Sequence, residues 1–178
     1  MKKIKFKPMI LDGVLINDYL VSDAGDVYKI DKKKGTKGIK TMVKARNLCS
    51  LNPNRHKNDY LYVTVSFSTD LFKYKYCQRG CGKNFSKRTL RIHQVIMQTF
   101  KPFDEFLPKE INKKDYAKTP ESMKMLIKQA FVVNHIDHNK NNNSISNLEW
   151  VTNKTNHSKA LKHYRGNFHN KPKRVLTR

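Results

Sequence analysis

One ordered stretch of this sequence, Phe131 to Leu161, brings an imidazole together with several side-chain amides. Asn134 and His135 close a short apolar run. Asn147 follows an asparagine-rich loop, and Asn156 lies just beyond a second apolar piece. A histidine can take a proton from water near neutral pH, so His135 is a candidate general base. Amide oxygens are hard ligands, and Asn134 and Asn156 would suit a cation such as Mg²⁺ or Mn²⁺. Such an ion stabilises charge building on a phosphate and on its leaving oxygen, which makes phosphodiester hydrolysis the natural chemistry of the set.

Three elements must position these groups. Val132 to Ile136 is short and β-branched and reads as a strand. Leu148-Glu149-Trp150-Val151 reads as a second strand. Thr152 or Asn153 can cap a following helix, because a short side-chain oxygen satisfies an early backbone N–H. Asn156 then falls near its first turn. Folded together, strand, strand and helix would set Asn134, His135 and Asn156 side by side.

This stretch resembles the HNH nucleases, specifically the phage-type HNH homing endonucleases with a ββα-metal core. That family reads Val-(Asp or Asn)-His-x-Asp-x-Asn-x-x-Asn-Asn, then Asn-Leu-x-Trp-Val-Thr, then Asn. Here the residues are Val133-Asn134-His135-Ile136-Asp137-His138-Asn139-Lys140-Asn141-Asn142-Asn143, then Asn147-Leu148-Glu149-Trp150-Val151-Thr152, then Asn156. The resemblance implies His135 as general base, Asn147 as the residue that orients its imidazole, and Asn134 and Asn156 as ligands of a divalent metal, Mg²⁺ or Mn²⁺. Asn134 stands where some members carry Asp, so the implied site has one negative charge fewer. His138 replaces the Gly that often follows the Asp, and is read as an exposed loop histidine. Two other readings stay open: a catalytically silent DNA-binding protein on the same scaffold, and a basic RNA-binding protein.

Composition narrows the partner. The 178 residues hold 37 Lys plus Arg against 14 Asp plus Glu, a net charge of +23 at pH 7. Such an excess opposes compaction and asks for a polyanion. Nucleic acid is the first choice, and an anionic membrane surface the second. No apolar run approaches the ~20 residues of a membrane helix. The amino terminus lacks an apolar core of signal-peptide length. The expectation is a soluble, cytoplasmic protein with double-stranded DNA as partner, no membrane and no small-molecule substrate. The resemblance adds a virus-encoded enzyme acting in the host cell.

Ahead of the core, Tyr19-Leu20-Val21 and Val27-Tyr28-Lys29-Ile30 flank Ser22-Asp23-Ala24-Gly25-Asp26, the pattern of a hairpin. The phrase also resembles a small module placed before the nuclease in phage HNH proteins and linked there to DNA contact. Lys32-Lys33-Lys34 begins a basic loop. Leu61, Val63, Val65 and Phe67 alternate with polar or half-polar residues and predict a half-buried strand. Phe72-Lys73-Tyr74-Lys75-Tyr76 alternates rings with ammonium groups. Lys73, Lys75, Lys87, Arg88, Arg91, Lys140 and Lys154 are the candidate phosphate contacts, which position a duplex without reading its sequence. Ile92, Val95, Ile96 and Phe100 follow helical spacing.

Three cysteines occur, Cys49, Cys77 and Cys81. Cys77 and Cys81, with His93 downstream, resemble part of a zinc finger. Structural zinc needs four ligands, and a second histidine at finger spacing is missing. A structural Zn²⁺ at Cys77, Cys81 and His93 is therefore possible but not favoured. Residues 101–130 read as an insertion, with a helix starting at Thr119-Pro120-Glu121 and presenting Met123, Leu126, Ile127 and Ala130 to a core. Gly166 is expected to stop the last helix. The fold class is α+β: a β-rich amino-terminal module over 1–58, a ββα-metal nuclease domain over 59–165, and a basic tail over 166–178.

Overall fold

The computed structural model of the chain describes residues 3–31, 39–47, 60–68 and 85–169. The Lys32–Lys34 loop, Lys73, Lys75, the three cysteines and the tail beyond residue 169 lie outside the described residues.

The first hairpin is local chemistry. Asp12-Gly13 joins β1 (Phe6–Leu11) to β2 (Val14–Ser22) with φ of 50° and 80°. Positive φ at both central residues is the type I′ geometry whose twist matches antiparallel strands. The β1–β2 register shifts between Pro8 and Met9, where proline has no N–H to give the ladder. The expected hairpin follows, with β2 turning into β3 (Val27–Asp31). β4 (Ile39–Met42) completes a four-stranded antiparallel sheet in chain order. β5 (Arg46–Asn47), β6 (Leu61–Ser68) and β7 (Phe85–Arg91) make a second sheet.

α1 (Ile92–Phe100) leaves β7 directly and lies at the centre. Ile92, Val95 and Ile96 are buried as their spacing requires. One hydrophobic cluster joins them to Met9, Ile16 and Val21 of the first sheet, Val63, Val65 and Phe67 of β6, and Val133 and Leu148 further on. Polar ties cross the same seams: the Ile10 N–H donates to Thr99 Oγ1 at 3.1 Å, and the Ser66 N–H donates to the Tyr19 hydroxyl at 2.8 Å.

α2 (Lys113–Lys118) and α3 (Glu121–Gln129) follow. Then come β8 (Phe131–His135), β9 (Leu148–Thr152) and α4 (Asn153–His169), the ββα unit. β8 and β9 pair antiparallel, with Asn134 opposite Glu149 and His135 opposite Leu148. Trp150 Nε1 donates to the Lys101 carbonyl at 2.9 Å. Lys101 Nζ reaches the carbonyls of Ile145 and Leu148 at 3.1 and 3.2 Å. The end of α1 is thereby fastened to the ββα unit. No helix among the described residues is long and apolar enough to cross a membrane.

Three local expectations change. α3 buries none of its residues, and Met123 and Leu126 are 50% and 58% exposed. Periodicity marked an apolar face, but the helix lies at the rim, where Lys128 pairs with Asp104 at 2.8 Å. Pro120 stands one position before that helix, and the Thr119 hydroxyl donates to the Asp115 carbonyl of α2 instead of capping α3. α4 runs through Gly166, because glycine inside a helix costs only about 1 kcal/mol relative to alanine.

Phe67 is 2% exposed and among the largest fully buried side chains. Phe67→Ala should lower unfolding free energy by about 3–5 kcal/mol in urea titration. Leu15→Ala, at a half-exposed position of β2, should change it by about 0.5 kcal/mol or less.

Candidate active site

The site is built on the ribbon β8–β9, with α1 on one face and α4 on the other. Successive strand residues point to opposite faces. Val133, His135, Leu148 and Trp150 share the α1 side, where Val133 and Leu148 join the core. Asn134 and Glu149 share the other side, and Glu149 meets Lys159 of α4 at 2.6 Å.

His135 closes β8 and is 4% exposed. Its Nε2 lies 3.1 Å from Asn143 Oδ1. Asn143 gives its own Nδ2 to the Asn141 carbonyl at 3.2 Å, so the amide oxygen is the atom that faces the ring. An oxygen can only accept, which assigns the ring proton to Nε2 and leaves the lone pair on Nδ1. Burial pushes the imidazole below its ordinary pKa, with the Lys140 charge acting in the same direction. The Asn143 hydrogen bond and the Asp137 carboxylate oppose them. The ring is therefore neutral near pH 7 and can take a proton.

Two further rings close around it. His93 of α1 stands edge-on at 5.0 Å between centroids, and Tyr60 lies at 6.1 Å. His93 is 3% exposed and its Nδ1 has no hydrogen-bond partner among the described residues. Burial, then the His135 and Arg91 charges, lower its pKa to about 3, so it too is neutral. Cys77 and Cys81 lie outside the described residues.

Asn147 acts on the chain after His135. Its Oδ1 accepts the Asp137 N–H at 3.1 Å. Its Nδ2 donates to Asp137 Oδ1 and to the Asn142 carbonyl, both at 2.8 Å, and its carbonyl accepts the Ile136 N–H at 2.9 Å. The asparagine run is, as expected, a loop, and it is wound by its own side chains. Asp137 Oδ1 takes the Asn139 N–H, and Asn139 Oδ1 takes the Asn141 N–H, successive Asx turns. The Asn142 and Asn147 amides lead in holding the Asp137 carboxyl below its usual pKa.

On the α4 side, Asn134 Nδ2 donates to Glu149 Oε1 at 2.8 Å. Burial opposes ionisation of Glu149, but the Lys159 and Asn134 hydrogen bonds and the Lys159 charge outweigh it and hold the carboxyl below its usual range. With its nitrogen committed, Asn134 keeps Oδ1 free of hydrogen bonds among the described residues. Thr152 Oγ1 caps α4 by accepting the Thr155 N–H at 3.1 Å. Asn156 is half-buried in the first turn. It lies three residues before Lys159, on the helix stripe that meets the ribbon. Its side chain makes no hydrogen bond among the described residues. The ring of His135 is hydrogen-bonded to neither Asn134 nor Asn156 there. The two amides share one side of the ribbon and the imidazole takes the other.

Among the described residues no cluster of three or more His, Cys, Asp or Glu could hold a metal. The Asn134 and Asn156 side-chain oxygens accept no hydrogen bond among the described residues and are hard donors of the type a divalent cation takes, while the nearby Glu149 carboxylate is already paired with Lys159. His138 is not an exposed loop residue. It is half-buried at φ 60°, a conformation glycine adopts without strain, and it stacks on His163 of α4 at 4.3 Å.

Of the basic residues singled out, Lys87 and Lys154 are exposed. Lys140 lies over the Tyr60 ring at 4.9 Å and Arg91 at 5.4 Å. Arg88 is paired with Asp12 at 2.8 Å. Sequence reasoning missed Asn143, Tyr60, Glu149 and Lys159.

One strand carrying a buried neutral histidine, a wound asparagine loop, a second strand and a capped helix define a class of site. Residues 127–158 match the family model described as HNH endonuclease, so this segment is an HNH endonuclease motif. The chain is similar, at 21% identity and a TM-score of 0.47, to a solved structure described as DNA binding and cleavage by the HNH homing endonuclease I-HmuI. The similarity covers 89% of this chain and 59% of that one. No curated protein matches the sequence.

A pKa of about 3 for His93 in the fold, against 6.5 ordinarily, means that the unfolded chain binds more protons between those values. Its contribution to stability is complete above pH 6.5 and is lost as pH falls toward 3. His93→Gln should flatten the acid limb of a curve of unfolding free energy, from urea titration, against pH by about 1.4 kcal/mol per pH unit. An unchanged slope would contradict the neutral, buried assignment.

Proposed function

We propose that this protein is a metal-dependent endonuclease that hydrolyses phosphodiester bonds in double-stranded DNA, a homing enzyme of the phage type acting in the cytoplasm of a host cell. The observation that carries the reading is the His135 imidazole: buried, neutral, proton on Nε2, lone pair on Nδ1. It lies within the segment that matches the HNH family.

His135 Nδ1 takes the proton of a water as that water's oxygen attacks phosphorus. The bond from phosphorus to the leaving oxygen breaks, and that oxygen takes a proton from solvent. Asn143 keeps the Nε2–H donated throughout, so the ring cannot turn away. Asn147 holds the backbone that follows the base. Asn134 and Asn156 would hold one Mg²⁺ or Mn²⁺, which when bound stabilises charge on the phosphate and its leaving oxygen. Lys87, Arg91, Lys140 and Lys154 would grip the backbone of the duplex, a contact that weakens with salt. The net charge of +23 supports that partner.

Plasmid cleavage with added Mg²⁺ or Mn²⁺ tests the reading. Wild type should cut, and a chelator should stop it. His135→Ala should lower the rate by about 10²–10⁴-fold while leaving DNA affinity nearly intact. Asn143→Ala should slow cleavage as well, with a smaller loss. Undiminished cutting by His135→Ala would refute the base. Binding without any cutting by wild type would leave a silent DNA-binding protein. Preference for structured RNA over duplex DNA would favour the RNA reading.

A further inference from the structure

The Ser22–Asp26 turn between β2 and β3 is more than 100 positions from His135 in sequence, yet it lies against the loop that orients it. The Asp23 carbonyl accepts the Ile145 N–H at 3.0 Å and the Ser144 hydroxyl at 3.4 Å. Gly25, at φ +111°, is pressed onto Asn143. A Cβ added there would sit 3.0 Å from Asn143 Cβ, 3.1 Å from its carbonyl carbon and 3.2 Å from its oxygen. Asn143 is itself buried and reaches His135 Nε2.

The turn is stiff enough to bear on that loop. The Asp26 N–H donates to Ser22 Oγ at 2.9 Å, and the Ser22 N–H donates to the Asp26 carbonyl at 2.8 Å. The strand-side backbone of Lys5 is tied to Asp23 in both directions: its N–H donates to Asp23 Oδ1 at 3.1 Å, and its carbonyl accepts the Asp23 N–H at 3.0 Å.

We infer that the β2–β3 turn is a positioning element for the catalytic loop: Asp23 and Gly25 set Asn143 against His135, and so make the amino-terminal sheet part of the active-site scaffold. The inference rests on His135 being the base. Gly25 is required by the contact as well as by its backbone, since any side chain there must displace Asn143. The contacts at 3.0–3.2 Å require Asn143 to give way, and catalytic rate is sensitive to the placement of the groups that hold a reacting side chain.

Gly13 supplies the control. It also has positive φ, +80°, but a Cβ there meets nothing within 4 Å. Gly25→Ala and Gly13→Ala both strain a turn, and only the first pushes on the loop. In the full chain, Gly25→Ala should accelerate hydrogen exchange at the Ile136 and Asn147 amides and lower kcat for plasmid cleavage severalfold, with DNA affinity unchanged. Gly13→Ala should do neither. Equal effects of the two, or lost DNA affinity at unchanged kcat for Gly25→Ala, would overturn the assignment. Should Gly25→Ala fail to fold, Ser144→Ala removes the hydroxyl donated to Asp23. It should accelerate the same amides, and unchanged exchange there would equally overturn the assignment. Exchange is read without cleavage, so a wild type that does not cut DNA refutes the nuclease reading while the exchange contrast still decides the role of the turn.

Discussion

The hydrogen bond between the Asn143 amide and the His135 ring is the constraint on which the rest of the site depends. A buried imidazole has two tautomers, and burial alone does not choose between them. The choice is made by an oxygen that can only accept, and that oxygen faces the ring because the amide nitrogen is spent on the Asn141 carbonyl. Everything near it serves to keep that pair in place. Asn147 fastens the backbone after His135, Lys101 reaches across to the loop, and the β2–β3 turn closes it from the amino-terminal sheet. Burial keeps the His135 ring neutral, and His93 next to it is neutral for the same reason.

Strand alternation then divides the chemistry. Asn134 and His135 are neighbours in the chain and face opposite sides of the ribbon. The face toward α4 holds the uncommitted amide oxygens, with a carboxylate already paired to Lys159. The face toward α1 holds the proton acceptor among aromatic rings. The division also separates two electrostatic needs. A cation site benefits from nearby negative charge and oxygen donors. An imidazole that must stay unprotonated benefits from burial, which here outweighs the opposing Asp137 carboxylate. Residues 127–158 match the HNH endonuclease family model, and two adjacent residues of β8 present an amide to one face of the ribbon and an imidazole to the other.

Much of the ββα unit was legible because its signals are local. A β-branched run marked β8 and an apolar one β9, Thr152 or Asn153 was the expected cap and Thr152 is the one that serves, and Leu61 to Phe67 alternated as β6 does. The β1 strand was missed although Asp12-Gly13 between apolar runs is a strong hairpin signal. The choice of Asn143 rather than Asn147 as the ring's partner was not legible: the two amides are chemically identical, and only the winding of the loop separates them. The exposure of α3 was hidden for a related reason. Periodicity states which face of a helix is apolar, not whether anything packs against it. The role of Gly25 was masked by its turn, since the same residue serves the backbone conformation and a contact more than a hundred residues away.

The central claim is one neutral tautomer at His135, and nitrogen NMR of histidine-labelled protein reads it directly. At pH 7 the account predicts a pyrrole-type, proton-bearing Nε2 and a pyridine-type Nδ1 for His135, with Asn143→Ala losing that bias. A proton on Nδ1, or a fully protonated ring at that pH, would contradict it.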